Sequence, residues 1–189
     1  MKGFDAYQVD DAQKVIEAVG QYRLYQNLQK TEDCKDVSFY DVKTYHKILY
    51  ALAPYQEASG KFRQSNNIVT KGTLKTTDYT KLDQEFMVLS KDFDINILCM
   101  EAMSHSGVIE HAVKAHYQLV ILHAFPDGNG RVSRAFMNRL LTCRNIPAIY
   151  FYNEEKLQYI KNLKYIDEYK NYTGLFVQVY KAIIFALAG

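Results

Sequence analysis

The chain has 189 residues, of which 48% are hydrophobic and 23% are charged, and its formal net charge at pH 7 is +2. This composition is typical of one globular domain and excludes a disordered chain, while the small positive excess gives no basis for nucleic-acid binding. Three widely spaced cysteines suggest neither a disulfide framework nor a zinc site. We therefore expect a single domain, residues 1–189, in the reducing cytoplasm, with no signal peptide and no membrane-spanning segment.

Apolar residues at helical spacing predict eight helices and an all-α bundle. Breakers bound several of them: Gly20 is the expected end of the first helix, Pro54 ends the second, and Gly107 precedes the fifth. The predicted helices lie at about residues 8–19, 42–52, 82–93, 95–103, 108–122, 130–144, 157–166 and 175–187. A short apolar run at 149–152 is left as strand or loop.

Residues 59–77 differ from the helical segments because they are rich in turn-forming residues. Ser65-Asn66-Asn67 is followed by Ile68-Val69-Thr70 and Lys71-Gly72. This pattern suits a short exposed hairpin, although on composition alone an ordinary surface loop is equally consistent with it. The chain is thus divided into N-terminal helices (1–58), this segment (59–77), core helices (78–146) and C-terminal helices (147–189).

Polar chemistry is concentrated in twelve residues between two predicted central helices, from His123 to Arg134. The run Gly128-Asn129-Gly130 allows a tight turn at the start of a helix, where unpaired N–H groups and the helix dipole favour an anion. Arg131 and Arg134 lie three residues apart and suit phosphate oxygens, Asp127 suits Mg²⁺, and His123 suits a proton acceptor. The stretch therefore predicts a nucleotide-phosphate site with its own general base.

In order, these residues match the pattern His-x-Phe-x-Asp/Glu-Gly-Asn-Gly-Arg-x-x-Arg at every fixed position. The stretch resembles the signature of the Fic family, whose members typically transfer AMP from ATP to a hydroxyl of a target protein. Gly60-Lys61-Phe62-Arg63 is similar to the sequence that precedes the flap of that family, a hairpin overhanging the active site. The resemblance thus implies a Fic-fold helical bundle with a small β-hairpin flap over the site.

The resemblance also implies a role for each site residue. His123 would deprotonate a Ser, Thr or Tyr hydroxyl of the target, Asp127 would hold Mg²⁺, and Arg131 and Arg134 would bind the distal phosphates of ATP and stabilise the leaving pyrophosphate. Nucleotide-binding residues would be Gly128, Asn129, Gly130, Arg131, Arg134 and Asn138. Flap residues that dock the target would be Phe62, Arg63, Ile68 and Val69.

Alternatives to AMP transfer remain open at this level. They are a de-AMPylating hydrolase, a transferase that uses another nucleotide donor, and a non-catalytic nucleotide-binding module. Many relatives restrain themselves with a helix bearing Ser/Thr-x-x-x-Glu-Gly/Asn, and no convincing copy is found here. We therefore expect the inhibitory glutamate to be missing from the chain or to come from an antitoxin-like partner, leaving Arg134 accessible to ATP.

Overall fold

The computed structural model describes residues 5–28, 34–53, 59–66 and 74–188, and in these it is all-helical. The seven α-helices are α1 (Asp5–Leu28), α2 (Asp41–Leu49), α3 (Leu82–Cys99), α4 (His105–Leu122), α5 (Asn129–Thr142), α6 (Lys156–Tyr169) and α7 (Thr173–Ala188). No strand lies in these residues. The centre of the predicted hairpin, with Ile68 and Val69, falls at 67–73, outside the described residues, so the hairpin stays a prediction.

Helices α4 and α5 form the centre of the fold and pack extensively against each other. Helix α1 lies on α2 and α5, α2 lies on α5, and α7 lies on α4 and α6. An aromatic cluster fills the junction of α2, α3 and α5. Phe39 is fully buried and lies 5.1 Å from Phe86, 5.8 Å from Phe93 and 5.7 Å from Phe136, measured between ring centroids. Each such ring contributes roughly 1.5–3 kcal/mol through burial, so the cluster holds the start of α2 against α5.

Two predicted helix boundaries are wrong, and each has a physical reason. Gly20 does not end α1, which continues to Leu28. A Cβ atom at Gly20 would lie 2.0 Å from the carbonyl oxygen of Leu49, so this glycine lets α1 cross the end of α2 at close range. The two helices predicted over 82–103 are one helix, α3, followed by a 3-10 turn at Met100–Ala102, because the sequence between them contains no glycine or proline.

The expectation that the cysteines form no disulfide is also wrong. Cys34, in a 3-10 turn before α2, is bonded to Cys143 at the end of α5, and Cys99 is free and exposed. The two bonded residues are 109 positions apart, and this is why spacing did not suggest the pair. Within the described residues, no helix combines the length and the apolar character needed to cross a bilayer.

Candidate active site

The connection between α4 and α5 turns sharply at two residues with left-handed backbones. His123 caps α4 with φ 46° and ψ 49°, and its N–H donates to the Leu119 carbonyl at 3.1 Å. Gly128 caps α5 with φ 73° and ψ 1°. A Cβ at Gly128 would lie 2.7 Å from the Tyr50 ring, so glycine is required here by packing as well as by conformation. The connection therefore joins His123 to the N-terminus of a 14-residue helix through one short, tightly turned loop.

Asn129 holds this connection closed. Its side-chain oxygen accepts from the Phe125 N–H at 2.8 Å, and its side-chain nitrogen donates to the Phe125 carbonyl at 2.7 Å. Asn129 is 5% exposed and Phe125 is 2% exposed, so both residues are buried, and the polar atoms of the Asn129 side chain bond within the loop. The Asn129 side chain thus shapes the predicted phosphate cradle. A contact of Asn129 with the nucleotide would use its backbone N–H, in the first turn of α5.

The backbone of His123 is hydrogen-bonded by Arg63, a buried residue that is 3% exposed. The Arg63 Nε donates to the His123 carbonyl at 2.8 Å, and its other nitrogens donate to the carbonyls of Ser65 and Thr77. Burial lowers the pKa of His123, the charge of Arg63 adds to this effect, and the Val120 carbonyl and Asp127 oppose it. At neutral pH the imidazole is therefore uncharged, the state that a general base needs.

Phe62 and Arg63, which were predicted to dock a target, lie near the start of the 59–77 segment and contact the helical core and the loop before α5. The Phe62 ring packs 5.0 Å from Phe86 and 6.0 Å from Phe125 between centroids, and the Lys43 ammonium lies 4.1 Å above it. The Arg63 N–H donates to the Ala124 carbonyl at 2.9 Å. These two residues anchor the segment to the active-site loop, and their contact with a target stays a prediction.

The Asp127 carboxylate belongs to a network that also includes the C-cap residue of α2, an arginine of α5 and a glutamate of α1. Its Oδ2 atom accepts from the Tyr50 hydroxyl at 2.7 Å and from the Arg131 Nη2 at 3.2 Å. The same Nη2 donates to the Tyr50 hydroxyl at 2.8 Å, and the Arg131 Nη1 lies 2.9 Å from the Glu17 carboxylate. Burial alone would raise the pKa of Asp127, but Tyr50, the Gly128 N–H and Arg131 outweigh it and lower the pKa. Asp127 is therefore ionised at neutral pH.

Glu17 was not expected at the site. It lies on α1, outside the motif, and its carboxylate pairs with Arg131 among the described residues. The sequence had directed attention to the other motif arginine, Arg134, as the partner of an inhibitory glutamate. Glu17 is 32% exposed and Arg131 is 17% exposed. The ion pair is therefore partly exposed and lies at the edge of the site.

His46 was also missed by sequence reasoning. Its ring is 3% exposed and stacks on Phe125 with 4.1 Å between centroids, and its nitrogens contact the Gly60 N–H and the Asp127 carbonyl. Burial lowers the pKa of His46 to about 4. Tyr50 caps the C-terminus of α2 and follows His46 by four residues, so the two side chains share a face. A histidine and a tyrosine four residues apart on the buried side of an amphipathic helix were the signal available in the sequence.

The Arg134 side chain lies beside Gly130, in the first turn of α5, and lines a cavity. Its Nη1 would be 3.2 Å from a Cβ placed on Gly130, so glycine leaves room for the guanidinium. The cavity has a volume of about 380 Å³ and is walled by α1, α6 and residues 149–153. The aromatic residue Tyr159 also lines this cavity, on the α6 side. A charged group at the mouth of an aromatic cavity suits a ligand with both phosphate and an aromatic ring.

Asn138, predicted to contact the base, holds one wall of this cavity. It is 1% exposed; its side-chain nitrogen donates to the Ile149 carbonyl at 2.9 Å and its side-chain oxygen accepts from the Ile149 N–H at 3.0 Å. These bonds position the segment that carries Tyr150. The side chain therefore acts on the cavity through its wall, and a direct contact with a base stays a prediction.

Comparison with known proteins agrees with the motif. The model of the Fic/DOC family matches residues 36–141, more than half of the chain. The chain belongs to the Fic/DOC family. The Fic domain of this chain is similar in sequence to protein adenylyltransferase fic-1 of Caenorhabditis briggsae, with 30% identity over 128 residues; the match covers 68% of the chain and 24% of that protein. The curated relatives are much longer, since matches cover between 12% and 24% of them.

Two solved structures share the Fic fold. Fic-1 of C. elegans (residues 134–508) superposes with a TM-score of 0.71 and 20% identity, over 88% of this chain and 48% of that one. The BepC protein of Bartonella tribocorum, solved with bound AMPPNP, superposes with a TM-score of 0.67 and 15% identity, over 92% of this chain and 86% of that one. These likenesses establish the all-helical Fic-like fold.

Proposed function

We propose that this Fic domain transfers AMP from ATP to a Ser, Thr or Tyr hydroxyl of a target protein and releases pyrophosphate. The observation that carries the proposal is one constellation at the N-terminus of α5. A neutral imidazole (His123), an ionised carboxylate (Asp127) and two arginines (Arg131, Arg134) surround a glycine turn beside a cavity of about 380 Å³. Homologues named protein adenylyltransferase support the reaction type.

In the proposed reaction the target hydroxyl oxygen attacks the α-phosphorus of ATP. The bond from that phosphorus to the bridging oxygen of pyrophosphate breaks, and the hydroxyl proton passes to His123. The N–H groups of the first turn of α5 and the guanidiniums of Arg131 and Arg134 stabilise charge on the phosphates as pyrophosphate leaves. The chain therefore contributes positioning, one proton acceptor and charge stabilisation.

The residues present fit a magnesium ion that is shared with the nucleotide. The Asp127 side chain is 66% exposed and ionised, so a cation can reach it. Mg²⁺ in nucleotide sites is usually held by one or two carboxylates, phosphate oxygens and water, so Asp127 and the nucleotide would supply its ligands. When bound, Mg²⁺ would neutralise phosphate charge in the transition state.

The test is transfer of label from ATP labelled at the α-phosphate, followed by intact-protein mass spectrometry of the chain and of a cell extract. His123→Ala is expected to abolish transfer and to leave ATP affinity within about twofold, because the imidazole acts on the target hydroxyl. His105→Ala is the matched control, since His105 is an exposed histidine at the other end of α4. Undiminished labelling by His123→Ala refutes the assignment. Transfer only from γ-labelled ATP indicates a phosphotransferase.

The lowered pKa of His123 adds a pH dependence. The uncharged imidazole persists below the usual pKa of about 6.5 and is lost only as the pH falls through its lowered pKa. The transfer rate at saturating ATP is therefore expected to stay level from pH 8 to about 6.5 and to fall on the acid side. A rate that halves near pH 7.5 would contradict the role of His123 as base.

Hydrolysis of AMP from a modified target is a second candidate, and the Glu17 carboxylate favours it. Glu17 lies 2.9 Å from Arg131 at the edge of the site, and a carboxylate there would orient a water molecule toward the phosphorus. Incubation of an AMPylated protein with the chain then releases AMP. Glu17→Gln is expected to stop this release without lowering forward transfer. Equal loss of both activities would remove Glu17 from the hydrolytic role.

A further inference from the structure

His46 of α2 bridges two parts of the site that are far apart in the sequence. Its Nδ1 atom lies 2.8 Å from the Gly60 nitrogen, and its Nε2 atom lies 3.1 Å from the Asp127 carbonyl oxygen. Gly60 begins the segment that leads toward residues 67–73, and Asp127 is the predicted metal-binding residue. One side chain therefore contacts both the segment that would receive a target and the loop that would hold Mg²⁺.

The two partners determine which nitrogen carries the proton. The Gly60 N–H is a donor, so Nδ1 must accept from it, and the Asp127 carbonyl is an acceptor, so Nε2 must carry hydrogen and donate. The ring is 3% exposed and is stacked on Phe125 with an interplanar angle of 17°. It is therefore oriented by two directional bonds and by a stacking contact, all within the protein.

The base of the segment is attached to the loop at a second place. The Arg63 N–H donates to the Ala124 carbonyl at 2.9 Å, and the Arg63 Nε donates to the His123 carbonyl at 2.8 Å. A shift of Gly60 that carries the His46 ring with it would move the Asp127 carbonyl in the same direction. The backbone at residues 60–63 and the loop at residues 123–127 are thus joined by the His46 bridge and by two hydrogen bonds of Arg63.

We propose that His46 is a positioning residue that couples the segment beginning at Gly60 to the Asp127 loop, so that seating of a target and binding of the magnesium-nucleotide strengthen each other. This inference deepens the proposed AMP transfer and rests on it for the identity of the ligands. Because coupling between two sites is reciprocal, a nucleotide that orders the Asp127 loop must also stabilise the bond at Gly60.

Three substitutions at His46 separate the two bonds. In His46→Asn the side-chain oxygen replaces Nδ1 and keeps the bond to Gly60, but nothing reaches Asp127. In His46→Gln the longer amide reaches Asp127, and the acceptor for Gly60 is lost. His46→Phe keeps a ring on Phe125 and removes both bonds. His111→Gln is the control, because His111 is another partly buried histidine stacked on a phenylalanine, away from the site.

The first measurement is amide hydrogen exchange of the whole chain by NMR, without ligand. His46→Asn is expected to keep the Gly60 amide protected and to speed exchange at residues 128–130 about fivefold, the factor typical of one lost hydrogen bond. His46→Gln is expected to do the reverse, and His46→Phe to speed both. Identical patterns in all three variants, or no change in His46→Phe, would overturn the proposal.

Coupling itself is tested from the loop side. Asp127→Ala disturbs the loop without removing the carbonyl that His46 contacts, and is expected to speed exchange at Gly60 two- to threefold. In the His46→Asn background the same change is expected to add nothing, because the link is already cut. An equal effect of Asp127→Ala in both backgrounds would show that the two bonds act independently.

The ligand measurement uses ATP with Mg²⁺. In the unaltered chain these are expected to slow exchange at Gly60 at least threefold, and in His46→Asn to leave it unchanged. An equal slowing in both proteins would overturn the coupling. If the unaltered chain binds no ATP, the proposed AMP transfer fails, and the ligand-free comparison with Asp127→Ala still decides whether His46 couples the two parts.

Discussion

The ion pair between Glu17 and Arg131 predicts that one substitution changes stability and nucleotide affinity in opposite directions. Glu17 occupies the Arg131 Nη1 at 2.9 Å, and the other terminal nitrogen of Arg131 is held by Tyr50 and Asp127. A phosphate group is a second anion at the same nitrogen, so we expect it to compete with the Glu17 carboxylate for Nη1. Glu17→Ala is therefore expected to weaken the folded chain and to tighten ATP binding.

The magnitude follows from the exposure of the pair. Fully exposed ion pairs contribute about 0.2–1 kcal/mol, and hydrogen bonds to charged groups contribute about 1.5–3 kcal/mol. Glu17 is 32% exposed and Arg131 17%, so solvent screens the pair in part and about 1 kcal/mol is a reasonable value. Loss of this amount lowers the melting temperature by about 2–4 °C and, if ATP binding breaks the pair, raises ATP affinity about fivefold.

Calorimetric titration with ATP and Mg²⁺, together with thermal unfolding, measures both quantities in the same preparations. Glu110→Ala is the control, because Glu110 forms an exposed pair with Lys114 at 3.7 Å on α4. It is expected to change neither the melting temperature by more than about 1 °C nor ATP affinity. If Glu17→Ala weakens ATP binding, Glu17 supports the nucleotide site, and the competition argument is refuted.

Three further changes test other parts of the site. Arg134→Ala is expected to weaken ATP binding at least tenfold and AMP binding less than threefold, and equal losses in calorimetry would contradict a distal-phosphate role. Tyr50→Phe removes the hydroxyl shared by Asp127 and Arg131 and is expected to reduce the Mg²⁺-dependent part of ATP affinity about fivefold, whereas unchanged affinity would make that hydroxyl dispensable. Burial lowers the pKa of His116 to about 4, so protonation of this histidine costs the folded chain no stability above pH 6.5 and lowers the free energy of unfolding as the pH falls from 6.5 toward 4. In urea unfolding, the free energy of unfolding of His116→Gln is expected to fall less over that pH range than that of the unaltered chain.

Most of the fold could be predicted because the helices carry their information locally. The apolar spacing of α4 and the glycine turn before α5 predicted both helices to within three residues. Gly20 shows the limit of local reasoning, since this position is glycine to allow close contact with the Leu49 backbone of another helix. A single sequence contains no signal that separates a glycine used for helix packing from one that ends a helix.

The same limit applies to the site. Every group that was predicted to touch phosphate, metal or hydroxyl lies between His123 and Arg134, where order and spacing are visible in the chain. The groups that orient them come from elsewhere: Glu17 on α1, His46 on α2 and Tyr50 at the C-cap of α2. Their positions depend on how α1 and α2 lie against α5, and that packing is a property of the tertiary structure.

The difference between the motif residues and the residues that orient them has a physical basis, because an exposed charged side chain needs a fixed partner to keep one conformation. The Asp127 side chain is 66% exposed, and a surface carboxylate alone samples several rotamers. Tyr50 is 3% exposed and His46 is 3% exposed, so their own positions are determined by packing before they bond to Asp127. The motif thus supplies the reacting and binding groups, which can be recognised in the sequence, and buried residues of α2 and its C-cap supply their orientation. A stretch that matches the motif but lacks a buried donor opposite the carboxylate would bind the same ions with lower affinity, because the ordering cost would then fall on the ligand.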